Sequence, residues 1–267
     1  YVDEAGNQPF KIKFKDAMGF REGLAAVAIK DKWGFINEKG EVFIDLKYDK
    51  AGTFRFKRSV VTQGKLYSLI NEKGDRVTAE YDTIYRRGNF YIMRENDLLG
   101  VMDSVGQILE NPKFDKIGSF YNNQLTVKFK DNWGVWENGE LDTSNRELYL
   151  SAPEEFPVFR EVCESFESPK EKKRCSDSML LVEVQKNIKY PIEARNKGIQ
   201  GRVFIHFVID RHGKARDFRI VRSIGGGCDE EALRVARDYL NVWSKPGKQD
   251  GIEVNTIFYL PVHFRLE

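Results

Sequence analysis

Residues 187–221 read NIKYPIEARNKGIQGRVFIHFVIDRHGKARDFRIV, and they decide the fold of the C-terminal third of the chain. Tyr190-Pro191 predicts the start of a helix, because proline is favoured at the first helical position, and Gly198 ends that helix. Asp210-Arg211-His212-Gly213 is typical of a hairpin turn between two strands, the second at about residues 215–224. Strict alternation gives the first strand one apolar face, formed by Val203, Ile205, Phe207 and Ile209.

The residues that follow predict one more helix and one more strand. Three glycines at 225–227 lead into a helix whose first turn, Asp229-Glu230-Glu231, complements the positive end of the helix. The apolar stripe of this helix is formed by Ala232, Leu233, Ala236 and Leu240. The last strand spans about residues 254–266, and Pro261 favours an open edge for it, because proline cannot donate a ladder hydrogen bond. The region is therefore predicted to be a small α+β domain with a three-stranded antiparallel sheet.

Residues 1–141 repeat themselves. A glycine that closes a short turn recurs at Gly6, Gly40, Gly74, Gly106 and Gly139. An aromatic or large apolar slot and the residue after it recur as Trp33-Gly34, Tyr67-Ser68, Leu99-Gly100 and Trp133-Gly134. A ring followed by an acid recurs as Tyr48-Asp49, Tyr81-Asp82 and Phe114-Asp115. Three independent markers share a period of about 33 residues, which predicts an array of repeated structural units.

Each unit is predicted to contain three short strands. In one unit the strands cover residues 24–29, 33–36 and 41–44, separated by turns rich in Asn, Asp and Gly. The glycine after the aromatic slot allows a neighbouring backbone or ring to approach closely. The recurrent rings could stack on sugars, but a shared core between units is the favoured interpretation. The fold class is thus a mainly β repeat array followed by the α+β domain.

Residues 142–175 differ in composition from both regions. Pro153, Pro157 and Pro169 interrupt a stretch dense in Glu, Lys and Ser, which predicts a linker. The charge run at 171–174 is interpreted as a solvated surface. From Ser176 we expect the C-terminal domain, with Ser176-Asp177-Ser178 capping a helix. The predicted domains are therefore 1–141, 142–175 and 176–267.

The three cysteines are too few for a disulfide scaffold. Cys163 and Cys175 bracket a short segment, and in an oxidising compartment they are the preferred disulfide pair. Cys228 would then be left over. Its pairing with either of the others stays open, because sequence does not fix connectivity.

Composition excludes several classes of protein. The 43 Lys and Arg residues nearly balance 41 Asp and Glu, which argues against nucleic-acid binding through a broad basic surface. Aromatic residues reach 13%, which favours β structure. No apolar run reaches the roughly 20 residues that a membrane helix needs. Tyr1-Val2-Asp3-Glu4-Ala5-Gly6 has the layout of the middle of a repeat, so we expect a truncated first unit and further sequence upstream.

No pattern predicts an enzyme, a cofactor or a metal. The chain lacks Gly-x-Ser-x-Gly and His-Glu-x-x-His, so no nucleophile or metalloprotease site is indicated. His206, His212 and His263 do not have the spacing of metal ligands. The glycines at 225–227 lack the Gly-Lys-Ser/Thr of a phosphate loop, and the acids that follow them would repel an anion.

The order of elements in the C-terminal region resembles the C-terminal domain of TonB-family energy transducers, over about residues 176–267. The matching residues are Tyr190-Pro191, Ala194, Gly198, Gly201, Asp210, Gly213, Glu231, Trp243 and Pro246-Gly247. The array resembles the WG β-repeats of bacterial envelope proteins. Trp33-Gly34 and Trp133-Gly134 match that motif fully, whereas Ser68 and Leu99 depart from it and mark the middle units as degenerate.

This resemblance implies a periplasmic, non-enzymatic transducer or adaptor from a Gram-negative bacterium that supports nutrient uptake. Its last strand would accept the TonB box, a short peptide of an outer-membrane TonB-dependent transporter, by β-strand addition. The implied receiving residues are Val254, Asn255, Thr256, Ile257, Phe258 and Tyr259. The adjoining surface would be formed by Tyr190, Pro191, Gln200 and Gly201. An inner-membrane motor of the ExbB–ExbD kind would supply force through an upstream membrane anchor.

The chain also departs from typical transducers, which have a long proline-rich spacer where this chain has the array. The alternative hypothesis is therefore an envelope scaffold or recognition protein, whose array binds protein or glycan. The upstream sequence would discriminate between the two, because a single membrane helix favours the transducer and a lipoprotein cysteine or cleaved signal favours the scaffold.

Overall fold

The structure is a computed structural model that describes residues 14–144 and 147–266. The predicted start of the array, with Tyr1 to Gly6, lies outside the described residues. The chain divides into two compact units. The first consists of Tyr1–Ile117, Val127–Asn132 and Trp136–Leu141, and the second of Gly118–Thr126, Trp133–Val135 and Asp142–Glu267. No helix in the described part of the chain is both long and apolar enough to cross a membrane.

The array folds into successive antiparallel sheets. The first sheet, in the order β1-β2-β3-β4, contains Asp16–Ala17, Leu24–Ile29, Lys32–Asn37 and Val42–Tyr48. The second, β5-β6-β7, contains Lys50–Ala51, Ser59–Gln63 and Leu66–Ile70. The third, in the order β11-β10-β9-β8, contains β8 Thr83–Arg87, β9 Phe90–Glu95, β10 Leu98–Met102 and β11 Ile108–Phe114. The predicted β repeats are confirmed, and two of these sheets contain a fourth strand that the sequence did not predict.

A further four-stranded sheet follows along the chain. Its order is β12-β13-β14-β15, with bounds Lys116–Tyr121, Gln124–Phe129, Asn132–Glu137 and Glu140–Asp142.

The glycine of the repeat slot is required by the strand that follows it. A Cβ on Gly34 would lie 2.5 Å from the carbonyl oxygen of Ile44, and one on Gly100 would lie 2.7 Å from that of Glu110. The register of each pair shifts at this point, so the neighbouring backbone crosses close over the glycine. At the equivalent position Ser68 carries a side chain, and its sheet has only three strands. Residues 76–81 still pair with β7 through isolated bridges at Ile70–Arg76 and Tyr67–Tyr81, so the departure from glycine coincides with an interrupted fourth strand.

The ring-plus-acid pairs connect each strand end to the next hairpin. The rings of Tyr48, Tyr81 and Phe114 are buried. The backbone N–H of the acid that follows each ring donates to a backbone carbonyl of the next hairpin, with a donor–acceptor distance of 2.9 Å in every case. The donor and acceptor residues are Asp49 and Thr62, Asp82 and Arg94, and Asp115 and Lys128. The repeated pair therefore anchors one unit's last strand to its successor by burial and by a backbone hydrogen bond.

The second unit contains a five-stranded sheet and three α-helices. The strands are β16 Tyr149–Leu150, β17 Gly201–Ile209, β18 Ala215–Arg222, β19 Gly247–Gln249 and β20 Ile252–Phe264. The helices are α1 Pro169–Asn187, α2 Ile192–Asn196 and α3 Cys228–Tyr239, with a 3₁₀ turn at Glu161–Ser165. The sheet order is β16-β20-β17-β18, and β19 also pairs with β20. The predicted α+β domain with three antiparallel strands is confirmed in β18-β17-β20, and two short strands are added to it.

The core of this unit lies between the helices and one face of the sheet. The predicted apolar face of β17 is fully buried, with Val203, Ile205, Phe207 and Ile209 each at 0% exposure. They pack with the α3 residues Ala232, Ala236 and Leu240 and with Trp243. The Trp243 ring contacts Phe159 at 5.1 Å and Phe258 at 4.9 Å. The alternation in β17 and the stripe in α3 were therefore interpreted correctly.

The start of α1 was predicted wrongly. The helix begins at Pro169 after the N-cap residue Ser168, not after Ser176. Proline at the first position is the signal that the sequence offered, because it lacks only an N–H that the helix would leave unpaired. The charge run at 171–174 is therefore helical, and Lys173 forms an ion pair with Asp177 one turn later.

Cys163 in the 3₁₀ turn and Cys175 in α1 form a disulfide, with their Cα atoms 5.6 Å apart. This is the pair that the sequence favoured, and Cys228 is left as a buried free thiol. The bridge ties the segment before α1 to the helix itself.

Candidate functional site

The last strand is not an open edge along its whole length. β16 pairs with it in parallel, with Tyr149 opposite Asn255 and Leu150 opposite Thr256. β19 pairs with its start in antiparallel fashion, from Ile252 to Val254. The expectation of an open edge is therefore wrong for residues 255–257, whose outward backbone groups pair with β16. The physical cause is that β16, a distant segment of the same chain, occupies these groups.

Beyond β16, the second half of β20 leaves one side without a partner strand. The N–H of Asn255 donates to the carbonyl of Leu148 at 2.8 Å, so it points away from β17. Because hydrogen-bonding direction alternates along an antiparallel strand, the N–H groups of Ile257, Tyr259 and His263 point the same way. Pro261 occupies one of these outward positions, so its missing N–H removes no hydrogen bond from the β17–β20 ladder. The N–H of Ile257 donates to the carbonyl of Leu150 in the parallel pairing with β16. In the described chain no strand pairs with this side of residues 258–264, which we call the free edge.

An apolar groove of about 450 Å³ runs beside the free edge. One wall is formed by β20, from Ile257 to Pro261, and the other by α1 with Leu180 and Leu181. Phe156 and Ser151 close its end. Leu181 is 46% exposed, although it is a large apolar residue. The groove therefore places exposed apolar surface next to unpaired backbone, which is what an extended peptide requires.

The charged groups of the groove neutralise each other. Lys173 and Asp177 line it and form an ion pair. The Lys173 ammonium also lies 4.9 Å from the centre of the Phe156 ring. The groove thus carries no net charge from its own lining, and recognition there would depend on shape and backbone pairing.

The predicted receiving residues have different surroundings. Val254, Asn255 and Thr256 are fully buried, and Ile257 is buried against Tyr121, Tyr149 and Val208. Phe258 points to the core, where its ring stacks on Phe207 at 5.4 Å. Tyr259 alone among the six has an exposed side chain, at 60%.

The other predicted residues lie at the far end of β20. Gly201 pairs with Phe264, and the side-chain oxygen of Gln200 accepts a hydrogen bond from the N–H of Leu266 at 3.0 Å. The Tyr190 hydroxyl donates to the carbonyl of Ile199 at 2.6 Å, and its ring packs edge-on against Phe264 at 5.7 Å. Pro191 lies next to Gly227 at the start of α3. These four residues support the end of the strand and do not line the groove.

Sequence reasoning missed the groove wall. Phe156 and Lys173 lie in the segment that the sequence assigned to a linker, and Leu180 and Leu181 lie in the helix predicted after it. The available signal was the pair of adjacent leucines at 180–181, of which only Leu180 is buried.

The sheet face opposite the helices carries a partly covered polar cluster. His206 is buried and stacks on Tyr121 at 5.7 Å, while Tyr259 meets it edge-on at 5.3 Å. Burial lowers the pKa of His206, and the nearby Arg219 charge lowers it further. Burial and the hydrogen bond to Asp217 raise the pKa of Tyr121 to about 12. His206 is therefore neutral in the folded protein near pH 7.

The described residues contain no cluster of three or more His, Cys, Asp or Glu side chains that could hold a metal. Cys228 is fully buried, and burial raises the pKa of its thiol, with Asp229 and Glu230 adding to the effect. A thiol in that state is a poor nucleophile.

Two family models match the chain. Residues 186–266 match the model described as Gram-negative bacterial TonB protein C-terminal. Residues 1–33, 33–67 and 100–133 match the model of the WG containing repeat. The chain therefore carries WG repeats followed by a TonB C-terminal domain, which is not an enzyme family. The resemblance inferred from the sequence is confirmed, whereas the degeneracy of the middle units stays a prediction.

Solved structures are similar to this chain only weakly. Two NMR solution structures of the Helicobacter pylori TonB C-terminal domain match with 20% and 19% identity, TM-scores of 0.28 and 0.30, and cover 33% and 40% of this chain. The matches include 90% and 91% of the residues of those two Helicobacter pylori chains. Hsv2 of Kluyveromyces lactis matches with 13% identity and a TM-score of 0.30, over 47% of this chain and 50% of Hsv2. No curated protein sequence matches the chain significantly.

Proposed function

We propose that this protein is a TonB-type energy transducer or adaptor of the periplasm that binds outer-membrane TonB-dependent transporters. The TonB box of a transporter would add as a strand along the free edge, at residues 258–263. This register differs from residues 254–259, because β16 already pairs with the first part of that side of β20. A motor of the ExbB–ExbD kind would supply the force, and nutrient uptake would be the outcome.

The observation that carries the proposal is the coincidence of unpaired backbone with the apolar groove. Strand addition takes its affinity from main-chain hydrogen bonds and its selectivity from pockets for alternate side chains. The outward N–H groups of Tyr259 and His263 supply the first. The surface of Leu181, Phe156 and Leu260 supplies the second.

The edge also suits transmission of force. β20 pairs with β17 over nine residues, from Gly201 opposite Phe264 to Ile209 opposite Thr256. A load applied to an added strand would pass through β20 into this ladder, where many hydrogen bonds share it. The buried side chains of β17 and β20 pack against the helices in one apolar core.

Site-specific photo-crosslinking in the native bacterium tests the proposal. A photoreactive phenylalanine replaces Tyr259 on the free edge or Leu181 in the groove wall, and mass spectrometry identifies the captured protein. Tyr239 in α3 is 37% exposed and serves as the matched control position. We expect both test positions, and not Tyr239, to capture the N-terminal segment of a TonB-dependent transporter. Capture of this chain alone from both positions would contradict the proposal.

A cavity in the array favours a second role, recognition of a glycan or protein. This cavity of about 500 Å³ is lined by residues that include Trp33, Tyr67, Asp49 and Lys50. Trp33 is half-buried, whereas Trp133, Trp136 and Trp243 are at most 6% exposed. Binding of peptidoglycan fragments at this cavity would therefore protect one tryptophan from collisional quenching. Unchanged quenching at saturating fragment would exclude a glycan of this kind.

A further inference from the structure

One face of the C-terminal sheet concentrates positive charge beside exposed aromatic surface. It lies opposite the face that packs on the helices. Its members, here called the arginine face, are Arg202, Phe204, Arg219, Arg222, Tyr259 and His263.

The strand register places these side chains next to one another. Arg202 is directly opposite His263, and Phe204 is directly opposite Arg222. One step along, Arg219 and Tyr259 flank His206 from either side. Directly opposite residues of an antiparallel pair have Cβ atoms about 5 Å apart on the same face. The six residues therefore form one continuous surface three strands wide.

Asp217 is an acid near His206 on this surface, and it bonds to Tyr121 and Arg216 and not to the three arginines of the face. No ion pair in the described part of the chain involves Arg202, Arg219 or Arg222, and all three are exposed. The pKa of His263 is lowered, first by burial and then by the charges of Arg202 and Arg265. Like charges held this close weaken folding slightly. Such an arrangement points to an anionic partner outside the chain.

The aromatic residues indicate the kind of partner. The Arg222 guanidinium lies 5.8 Å from the centre of the Phe204 ring, which holds it flat on the sheet. Tyr259 exposes 60% of its surface and combines an apolar ring with a polar tip. Guanidinium groups bind phosphate through two parallel hydrogen bonds, and tyrosine is favoured where apolar and wet regions meet. A flat surface with both features fits a plane of phosphate groups.

We propose that the arginine face docks the C-terminal domain on a membrane surface that contains anionic phospholipids. Arg202, Arg219 and Arg222 bind headgroup phosphates, and the Tyr259 ring enters the interface. Tyr259 also belongs to the free edge through its backbone. Docking therefore holds that edge next to the membrane, within reach of a segment that emerges from a membrane protein. Lipid binding itself does not depend on peptide binding.

Co-flotation of the whole chain with lipid vesicles tests this proposal. One set of vesicles contains 30 mol% phosphatidylglycerol in phosphatidylcholine, and the other contains phosphatidylcholine alone. The test variant combines Arg202→Glu with Arg222→Glu. The control combines Arg174→Glu with Arg237→Glu, which changes net charge equally on exposed positions of α1 and α3. Circular dichroism checks that both variants fold.

We expect the chain to float with the phosphatidylglycerol vesicles only, and to be released at high salt. Each cation near an anionic surface contributes about fivefold in affinity, so the test variant loses about 20-fold or more. The control variant loses less than about threefold. Equal losses in both variants, or no flotation with either vesicle, would overturn the proposal. Binding of the arginine face to an acidic protein without vesicle binding would overturn it as well.

Discussion

The backbone N–H of Asn255 donates to the carbonyl of Leu148 at 2.8 Å, so the chain itself occupies part of the edge of its last strand. Leu148 and Tyr149 are held there by further contacts. Thr126 and Tyr149 exchange two hydrogen bonds, and the Tyr149 ring stacks on Tyr121 at 4.4 Å. An added strand therefore finds unpaired backbone only after Ile257, where this pairing ends.

The direction of the edge N–H groups predicts the effect of proline at Tyr259. Tyr259→Pro removes an outward donor and leaves the ladder to β17 intact, whereas Tyr259→Ala removes only the side chain. We expect Tyr259→Pro to bind a TonB-box peptide about fivefold more weakly than Tyr259→Ala, the value of one hydrogen bond. Isothermal calorimetry measures both affinities. Equal affinities of the two variants would place the peptide away from this edge.

Two adjacent residues of α1 differ in whether they line the groove. Leu181 lines the groove at 46% exposure, while its neighbour Val182 is 59% exposed and outside the groove lining. We expect Leu181→Asp to weaken peptide binding at least tenfold, because it desolvates a charge against an apolar wall. Val182→Asp should change the affinity less than twofold. Fluorescence anisotropy of a labelled peptide provides the comparison, and similar losses in both variants would argue against the groove.

The repeat glycine predicts a large difference between two Gly→Ala substitutions. At Gly34 the new Cβ meets the carbonyl oxygen of Ile44 at 2.5 Å, whereas at Gly19 it meets no atom within 4 Å. We expect Gly34→Ala to lower the free energy of unfolding of the array by about 2 kcal/mol. Gly19→Ala should leave it unchanged or raise it slightly. Urea unfolding measures both, and a neutral Gly34→Ala would show that β4 can move away.

The disulfide should stabilise the C-terminal unit. Cys163 and Cys175 are separated by 12 residues in sequence, and closing a loop of that length contributes about 3 kcal/mol by the chain-entropy estimate. We expect reductant to lower the thermal midpoint of the oxidised protein. The double variant Cys163→Ser, Cys175→Ser should be less stable and insensitive to reductant. A reductant effect that persists in the double variant would trace to Cys228 instead.

Stability should fall on mild acidification because of His206. The pKa of its imidazole is lower in the folded protein than the ordinary value of about 6.5. The unfolded chain then binds the proton more readily, so this stabilisation is complete above that value and is lost as the pH falls toward the folded pKa. Asp217, Arg219, Tyr121 and Tyr259 all face the ring, and Arg219 opposes its protonation. His206→Phe should remove this part of the pH dependence between pH 7 and 5 in urea unfolding, while His263→Asn should retain it.

Local patterns predicted those parts of the fold that local physics determines. The strand at 24–29 and its turn follow from alternation and turn residues, and β2 has the predicted bounds. The hairpin of β17 and β18 follows from the apolar face of β17 and the Asp-Gly turn in the same way.

The open-edge prediction failed where distant residues decide the outcome. β16 is two residues long and pairs with a strand far along the chain. Two residues are too few to show a periodic pattern. Parallel strands are also not joined by a hairpin turn, so the sequence contains no turn motif that would predict the pairing. The groove was missed for the same reason, since Phe156 and Leu181 become neighbours only when α1 packs beside β20. Pro261 indicated an edge correctly for the half of the strand that contains it.

The Cys163–Cys175 bridge bears on how tightly a peptide could be held. The segment that carries Phe156 is held by backbone hydrogen bonds of Glu155 with Lys248 and of Val158 with Lys245. The disulfide adds a covalent link between the residues that follow this segment and α1. The entropy of arranging that side of the cleft is then lost once, at folding, and only the peptide remains to be ordered at each encounter.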